Sequence, residues 1–353
     1  MMRFLKPALL VFALINLVTG MLSGLGRLGW AVPIPEAYAH HGAIMVGGFL
    51  GSLIALEKVI PLKRIYFYAG PLLSASSIVV FLFGDFHFAV AMLVVAGLIF
   101  AAVYVTYLKV QFSELLLLAL AGVACWLVGT VLLFWKQFYP MVLPWWMGFL
   151  LFTIVSERLE LSRFLPVTAA NRRWLYGFLV VFVVSLLIPF HIVGKFLAGF
   201  SLVFTSAWLL RYDLIRITLH KEGLARFTAV SLLCGYIALV IEGVLLVALR
   251  DQPFAYDMIV HTFFLGFVFS MIFAHGPIIL PGVLGLSVKP YHVALYLPVT
   301  ALWASLALRL AADGGLISLT YRAWSGWITM GSILLYFVLM IVVTIRSFRT
   351  LAH

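Results

Sequence analysis

One apolar stretch of the chain combines two histidines with a thioether and several glycines. Residues 39–51 read Ala-His-His-Gly-Ala-Ile-Met-Val-Gly-Gly-Phe-Leu-Gly. On a helix, the adjacent His40 and His41 point about 100° apart, so they cannot both face one partner. Met45 follows His41 by four residues and shares its face. Imidazole suits copper and a thioether suits Cu(I), so His41 and Met45 could together hold a copper ion.

A second apolar stretch, residues 257–280, has His261 near its start and His275 near its end. On a helix these two histidines share almost one face and lie about 21 Å apart along the axis. Asp257 precedes His261 by one turn and could orient the imidazole through its second ring nitrogen. We expect His275 to approach His292, at the start of the next helix, as a possible proton carrier or ligand.

The two stretches together suggest a second cofactor hypothesis. His41 and His261 could be axial ligands from two helices to one haem, with the nearby glycines making room for a flat macrocycle. Those glycines could equally serve only close helix packing. His40 and His275 are the next ligand candidates. Any of these histidines could also be an ordinary polar residue at a helix end.

The composition places both stretches in a lipid bilayer. Of the 353 residues, 65% are hydrophobic and 10% are charged, whereas charged residues average about 25% in soluble domains. Repeated apolar runs of about 20 residues predict an all-α, polytopic transmembrane helical bundle. In such a setting an ionisable side chain is costly and marks a candidate functional site.

We predict about twelve spans, joined by short connections into a single integral membrane domain, residues 1–353. The spans are approximately 5–27, 38–57, 65–84, 87–108, 114–135, 141–157, 174–190, 193–213, 227–249, 256–280, 291–311 and 325–345.

The basic residues predict the orientation of these spans. The net charge of +11 would suggest nucleic acid as a partner of a soluble protein, but here it is explained by Lys and Arg retained in cytoplasmic loops. Most of the 23 Lys and Arg residues fall on the side of the N-terminus, so both termini are predicted to be cytoplasmic in a bacterial-type inner membrane. His40, His41 and His261 then lie at similar depth near the outer face. We expect no phosphate or nucleic-acid site.

Glu242 lies in the middle of the ninth predicted span. A carboxyl group there should be neutral, hydrogen-bonded or paired. A role in a proton relay and a structural hydrogen bond, for example with Tyr236, are both open. Glu57 and Glu157, each followed by a basic residue, are expected to be charges at the cytoplasmic interface.

The histidine motifs and the layout of about twelve spans resemble the NnrS family of haem- and copper-containing membrane proteins. The matching stretches are Ala39-His40-His41-Gly42 with Gly48-Phe49, and His261-Thr-Phe-Phe-Leu-Gly266 continuing to His275-Gly276. The second span of that family typically reads His-x-His-Glu, whereas here the histidines are adjacent and glycine follows. The resemblance implies haem b, allows copper as a second metal, and implies a role in the response to nitric oxide or nitrosative stress.

Two further comparisons complete the hypotheses. The His-Gly-x-x-Met pattern from His41 to Met45 is similar to the second helix of haem–copper oxidase subunit I, where the histidine ligates low-spin haem.

The alternative to a haem or copper protein is a proton-coupled, twelve-span secondary transporter of a small solute or metal, with Glu242 as coupling carboxyl. Paired broken helices would favour a transporter, and we predict none. The sequence leaves open whether the protein is an enzyme, a sensor or a transporter.

Overall fold

The structure is a computed structural model that describes residues 2–249, 252–286 and 288–351, with side chains described from residue 5 to residue 347 of these ranges. The described residues are all-α, and twelve of their helices are long and apolar enough to cross a bilayer. The protein is therefore a multi-pass helical membrane protein. The helices are α1 Met2–Arg27, α2 Pro35–Leu62, α3 Ile65–Phe83, α4 Phe86–Val110, α5 Glu114–Lys136, α6 Tyr139–Leu161, α7 Ala169–Leu187, α8 Phe190–Tyr212, α9 Gly223–Ala248, α10 Ala255–Leu284, α11 Val293–Asp313 and α12 Leu319–Leu351.

The twelve predicted spans are confirmed, and most boundaries agree within a few residues. One of the larger differences is at α12, which begins at Leu319 rather than at the predicted residue 325. Polar residues in the loops fix several helix starts. Asp85 accepts a hydrogen bond from the backbone N–H of Phe88 at 2.9 Å, and Thr168 accepts one from Asn171 at 3.2 Å. Such caps satisfy N–H groups that have no partner within the first helical turn.

The contacts divide the chain into two compact units, where the sequence suggested a single domain. The first unit comprises residues 1–156 and the second unit residues 157–353, so the boundary falls within α6. In the first unit α2 packs against α1 and α3, and α4 packs against α3 and α5. In the second unit α9 packs against α8 and α10, and α11 packs against α10 and α12.

Three spans contain π-helical segments: one forms the start of α8, Phe190–Gly194, and the other two lie inside α2 and α10. In α2, a 3₁₀ turn over Pro35–His40 leads to a short α-helix, His41–Ala43, and the next segment, Ile44–Gly51, is π-helical. In α10, the segment Thr262–Val268 is π-helical. π-Helical segments inside α-helices are rare and frequently mark functional sites. Those of α2 and α10 both begin within three residues of a candidate ligand histidine, and neither was predicted from the sequence.

Hydroxyl groups from neighbouring residues hold the π-helical segment of α2 in place. Ser74 on α3 donates from Oγ to the carbonyl oxygen of Gly47 at 2.7 Å. Ser52 donates from Oγ to the carbonyl oxygen of Gly48 at 2.6 Å. Asn16 on α1 lies against Gly48. Within a bilayer every backbone polar group needs a partner in the protein, so these serines support the irregular backbone of α2.

In the second unit, α8 and α9 approach closely through small residues. A Cβ atom on Gly243 would lie 2.5 Å from the carbonyl oxygen of Gly199, and the reverse distance is also 2.5 Å. Ser206 donates from Oγ to the carbonyl oxygen of Tyr236 at 2.6 Å. Small residues and interhelical hydrogen bonds of this kind drive helix association in membranes.

Candidate functional site

His41 packs against α1, where two glycines make room for it. A Cβ atom on Gly24 would lie 3.1 Å from Cε1 of the His41 ring. Nδ1 of His41 lies 2.7 Å from the carbonyl oxygen of Gly20. A carbonyl oxygen only accepts hydrogen bonds, so Nδ1 carries the proton and a neutral ring has its lone pair on Nε2. Met45 shares this face and packs against Gly20.

His40 points in a different direction from His41, as the helical geometry predicted. Its ring contacts the rings of Phe81 and Phe86, with a centroid distance of 5.2 Å to each. Among the residues that the structure describes, Nδ1 of His40 is buried without a hydrogen-bond partner. His40 therefore sits in an aromatic environment apart from the His41–Met45 face.

The glycines of α2 settle one of the two roles that the sequence left open. A Cβ atom on Gly47 would lie 2.6 Å from Leu93, and one on Gly51 would lie 2.7 Å from Trp126. The space beside both glycines is thus filled by side chains of the first unit. These two glycines serve close helix packing, and a role in making room for a macrocycle stays a prediction.

His261 is half-buried near the start of α10 and makes the contact predicted for it. Its Nδ1 lies 2.9 Å from the carbonyl oxygen of Asp257 and 3.3 Å from Oδ1 of the same residue. Both atoms are acceptors, so Nδ1 carries the proton and a neutral ring again has its lone pair on Nε2. Asp257 therefore orients the imidazole with two of its oxygen atoms.

Asp257 is also the centre of an ionic cluster that joins α10, α11 and α12. Arg309 binds its carboxylate with two hydrogen bonds, from Nε at 2.6 Å and Nη2 at 2.8 Å. Arg322 lies 3.1 Å from Asp257 and 2.7 Å from Asp313, and its guanidinium covers the ring of Phe254 at 4.8 Å. We call Asp257, Arg309, Arg322 and Asp313 the Asp257 cluster. From the sequence, Arg309 and Arg322 served only to indicate the orientation of the spans. The position of Arg309 inside the apolar run of α11 was nevertheless a signal for a buried partner.

A second ionic cluster surrounds Arg158, which is only 4% exposed. Arg158 donates from Nε and Nη2 to the carboxylate of Asp213, at 2.9 and 2.7 Å. Its Nη1 lies 3.2 Å from Nε2 of His275, and Tyr236 donates its hydroxyl to Asp213 at 3.0 Å. We call Arg158, Asp213, Tyr236 and His275 the Arg158 cluster. From the sequence, Glu157 is expected to be an interface charge, and its neighbour Arg158 is assigned no buried partner.

The Arg158 cluster changes the interpretation of His275. Nδ1 of His275 lies 2.8 Å from the carbonyl oxygen of Met271, and Nε2 faces Arg158, so both ring nitrogens have partners within the chain. This arrangement provides no ring nitrogen for a metal. His275 is hydrogen-bonded to Met271 and Arg158 rather than to His292, and Nδ1 of His292 accepts a hydrogen bond from the backbone N–H of Ala294 at 3.1 Å.

Glu57 and Glu242 lie in different surroundings. Glu57 is paired with Lys58 at 2.8 Å and is partly exposed, as expected for an interface charge. Glu242 is fully buried, and neither of its carboxyl oxygens has a hydrogen-bond partner among the described residues. The hypothesis of a bond between Glu242 and Tyr236 is wrong, because the Tyr236 hydroxyl donates to Asp213.

No group of three or more His, Cys, Asp and Glu side chains is placed to hold a metal ion in the described part of the chain. His41 and Met45 supply two donors for copper, which is a small set. Haem iron needs only one or two protein ligands, and His41 in the first unit and His261 in the second each have the tautomer that a ligand requires. The donor chemistry of these two histidines therefore fits haem better than a protein-only copper site.

A family model matches the chain over residues 6–345, and its description is a domain of unknown function (DUF8744). The chain belongs to the DUF8744 family. No curated protein and no solved structure matches the chain. Family membership therefore carries no activity with it, and any assignment of function depends on the side chains described above.

Proposed function

We propose that this DUF8744 protein binds haem in a bacterial-type inner membrane, with His41 and His261 as the histidines that would each serve as a ligand to haem iron. One observation carries the proposal. Each histidine stands near the start of a span that a π-helical segment interrupts, and each has Nδ1 within 2.9 Å of a backbone carbonyl oxygen.

That hydrogen bond is the feature that metal-ligating histidines usually share. It fixes the tautomer and the ring orientation, and it raises the basicity of the nitrogen that binds the metal. His275 makes the same bond through Nδ1, but its Nε2 is engaged by Arg158. The proposal therefore omits His275.

The type of haem and its ligand are proposed on chemical grounds and on the resemblance to NnrS. Attachment of c-type haem uses a C-x-x-C-H motif. The two cysteines, Cys125 and Cys234, are far apart in sequence and form no such motif, so haem b is the form that fits. A haem iron with two histidine ligands could transfer an electron, whereas nitric oxide would have to displace one of the two histidines to bind the iron. Copper at His41 and Met45 is a weaker proposal, since the first unit offers it two donors.

Residues of the Asp257 cluster would fix the orientation of the His261 imidazole ring. The carboxylate and carbonyl oxygens of Asp257 hold Nδ1–H, and Arg309 and Arg322 hold the carboxylate in place. Charge-assisted hydrogen bonds from arginine have fixed geometry, so the imidazole ring has little freedom to turn.

The test is the absorption spectrum of the purified full-length protein and of three variants. His41→Ala and His261→Ala should each lose or shift the Soret band, and added imidazole should restore part of it. His191→Ala is the matched control, because His191 is exposed and should leave the spectrum unchanged. A Soret band that is identical in wild type, His41→Ala and His261→Ala would refute the ligand assignment.

A proton-coupled secondary transporter is the second candidate, and one observation favours it. Sequence inspection predicted no broken helices, yet α2 and α10 both contain π-helical segments, and interrupted spans are a recurring feature of transporter sites. Glu242 would then be the coupling carboxyl. A colourless purified protein that carries out pH-driven solute uptake in proteoliposomes would favour this function over haem binding.

A further inference from the structure

The packing of α9 against α10 brings a buried carboxyl group towards a π-helical segment. The two helices run antiparallel, and two contacts define their register. Thr228 on α9 donates from Oγ1 to the carbonyl oxygen of Ala274 on α10 at 3.2 Å. Further along, the side chain of Ala238 on α9 fills the space beside Gly266 on α10. A Cβ atom added to Gly266 would lie 2.7 Å from the Cβ atom of Ala238.

Glu242 follows Ala238 by one helical turn and therefore lies on the same face of α9. Continuing the register by one turn places Glu242 opposite residues 260–264 of α10. Thr262, the first residue of the π-helical segment, lies in the middle of that stretch and directly follows His261.

Both side chains at this level lack partners. Glu242 and Thr262 are each fully buried, and the two carboxyl oxygens of Glu242 and Oγ1 of Thr262 have no hydrogen-bond partner among the described residues. A buried polar group without a partner costs about 1–3 kcal/mol, and more if it is charged. Three such atoms at one level of one helix pair indicate a site for a small polar occupant.

The charges around α9 decide what that occupant is. The titratable groups on the elements packed against α9 lie on α8, on the one-turn helix Ile215–Thr218 and on α10; they are His191, Lys195, Arg211, Tyr212, Arg216, Tyr256, Asp257, His261 and His275. In the described residues none of them is hydrogen-bonded or ion-paired to Glu242. Lys195, for example, donates to the carbonyl oxygen of Leu249. On α9 itself, Tyr236 belongs to the Arg158 cluster, and the Cys234 side chain makes no described contact with Glu242.

A metal cation would need a shell of several ligands, and no cluster of three or more ligating side chains occurs in the described residues. We propose that Glu242 is a proton-binding site, and that its protonated carboxyl group forms with the Thr262 hydroxyl the hydrogen bond that neither side chain makes in this structure. In the binding step, a hydronium ion transfers a proton to Oε1 or Oε2 of Glu242. An O–H bond forms on the carboxyl group, and the hydronium ion becomes a water molecule. This site is independent of haem binding and would give the second unit a means of taking up protons in either redox or transport chemistry.

Infrared difference spectroscopy on the full-length protein in liposomes tests the site directly. Spectra recorded at acidic and alkaline pH should differ by the carbonyl stretch of a protonated carboxylic acid, with the usual shift in D₂O. Glu242→Gln should lose this band. Thr262→Val should move the band to higher frequency, because the hydrogen bond from the hydroxyl is lost, and Thr262→Ser should leave it near its original position. Glu222→Gln, an exposed carboxyl at the start of α9, is the matched control and should keep the band.

Three results would overturn the proposal. The band could persist in Glu242→Gln, no band could appear between the two pH values, or sodium ions at constant pH could produce the same difference spectrum. If Glu242→Gln does not fold, as judged by size-exclusion chromatography, the band shift in Thr262→Val decides the question, and an unmoved band refutes the site. Haem is measured in the visible range, so a failure of the haem proposal is separate from these outcomes.

Discussion

Replacing Asp257 with asparagine removes the negative charge that Arg309 and Arg322 share. In the structure the Asp257 carboxylate receives two hydrogen bonds from Arg309, at 2.6 and 2.8 Å, and lies 3.1 Å from Arg322. Its side chain is 18% exposed, so water screens the cluster only in part. Removing one partner of a buried ion pair costs about 3–5 kcal/mol, because a buried charge loses its counter-ion.

With the lower end of that range, Asp257→Asn should lower the free energy of unfolding by about 3 kcal/mol. For a unit of this size each kcal/mol shifts Tm by about 2–4 °C, so we expect a decrease of about 6–12 °C. The assay is thermal unfolding of the purified protein in detergent, followed by the fluorescence of its tryptophans. Glu36→Gln, at an exposed carboxyl, is the control and should leave Tm unchanged.

A double variant separates the charge effect from a general loss of packing. Arg309→Gln in the Asp257→Asn background removes both charges, so it should be less destabilising than the two single changes added together. A Tm for Asp257→Asn within about 1 °C of wild type, where the structure implies several degrees, would refute the reasoning. Strict additivity in the double variant would show that the two side chains are not coupled.

Two further predictions concern glycines that position helices. Gly24→Leu should displace the His41 ring, because even a Cβ atom at Gly24 would lie 3.1 Å from that ring. The visible spectrum of the haem-loaded protein should therefore change. The control is Gly331→Leu, at a glycine with open space beside it, and it should leave the spectrum unaltered. An unchanged Gly24→Leu spectrum would contradict this placement of His41. Gly243→Ala should lower the unfolding free energy by about 1–3 kcal/mol, because its Cβ would lie 2.5 Å from the Gly199 carbonyl oxygen; the same thermal assay measures this, and an unaltered Tm would count against the α8–α9 contact.

The spans were predictable because the bilayer restricts what a sequence can do. Each crossing needs about 20 apolar residues in a helix that satisfies its own backbone, so apolar runs translate directly into helices. The contact of Asp257 with His261 was predictable for a related reason. The two residues are one turn apart on a helix, where side chains at that spacing meet regardless of the rest of the fold.

The remaining features depend on contacts between residues distant in sequence or on backbone detail that composition does not encode. The pairing of Arg158 with Asp213 joins residues far apart in the chain, and no local pattern marks it. The π-helical segments of α2 and α10 are as apolar as α-helical ones. The expected bond of Glu242 with Tyr236 could have been excluded from periodicity alone, because residues six apart on a helix point about 120° away from each other.

The measurement that tests the central claim most directly is the haem content of the purified protein, determined as the pyridine haemochromogen, in wild type and in the double variant His41→Ala/His261→Ala. The account predicts stoichiometric haem b in the wild type and none in a double variant that still elutes as a folded protein. Wild-type protein without haem after expression in haem-replete cells, or a double variant with undiminished haem, would contradict it.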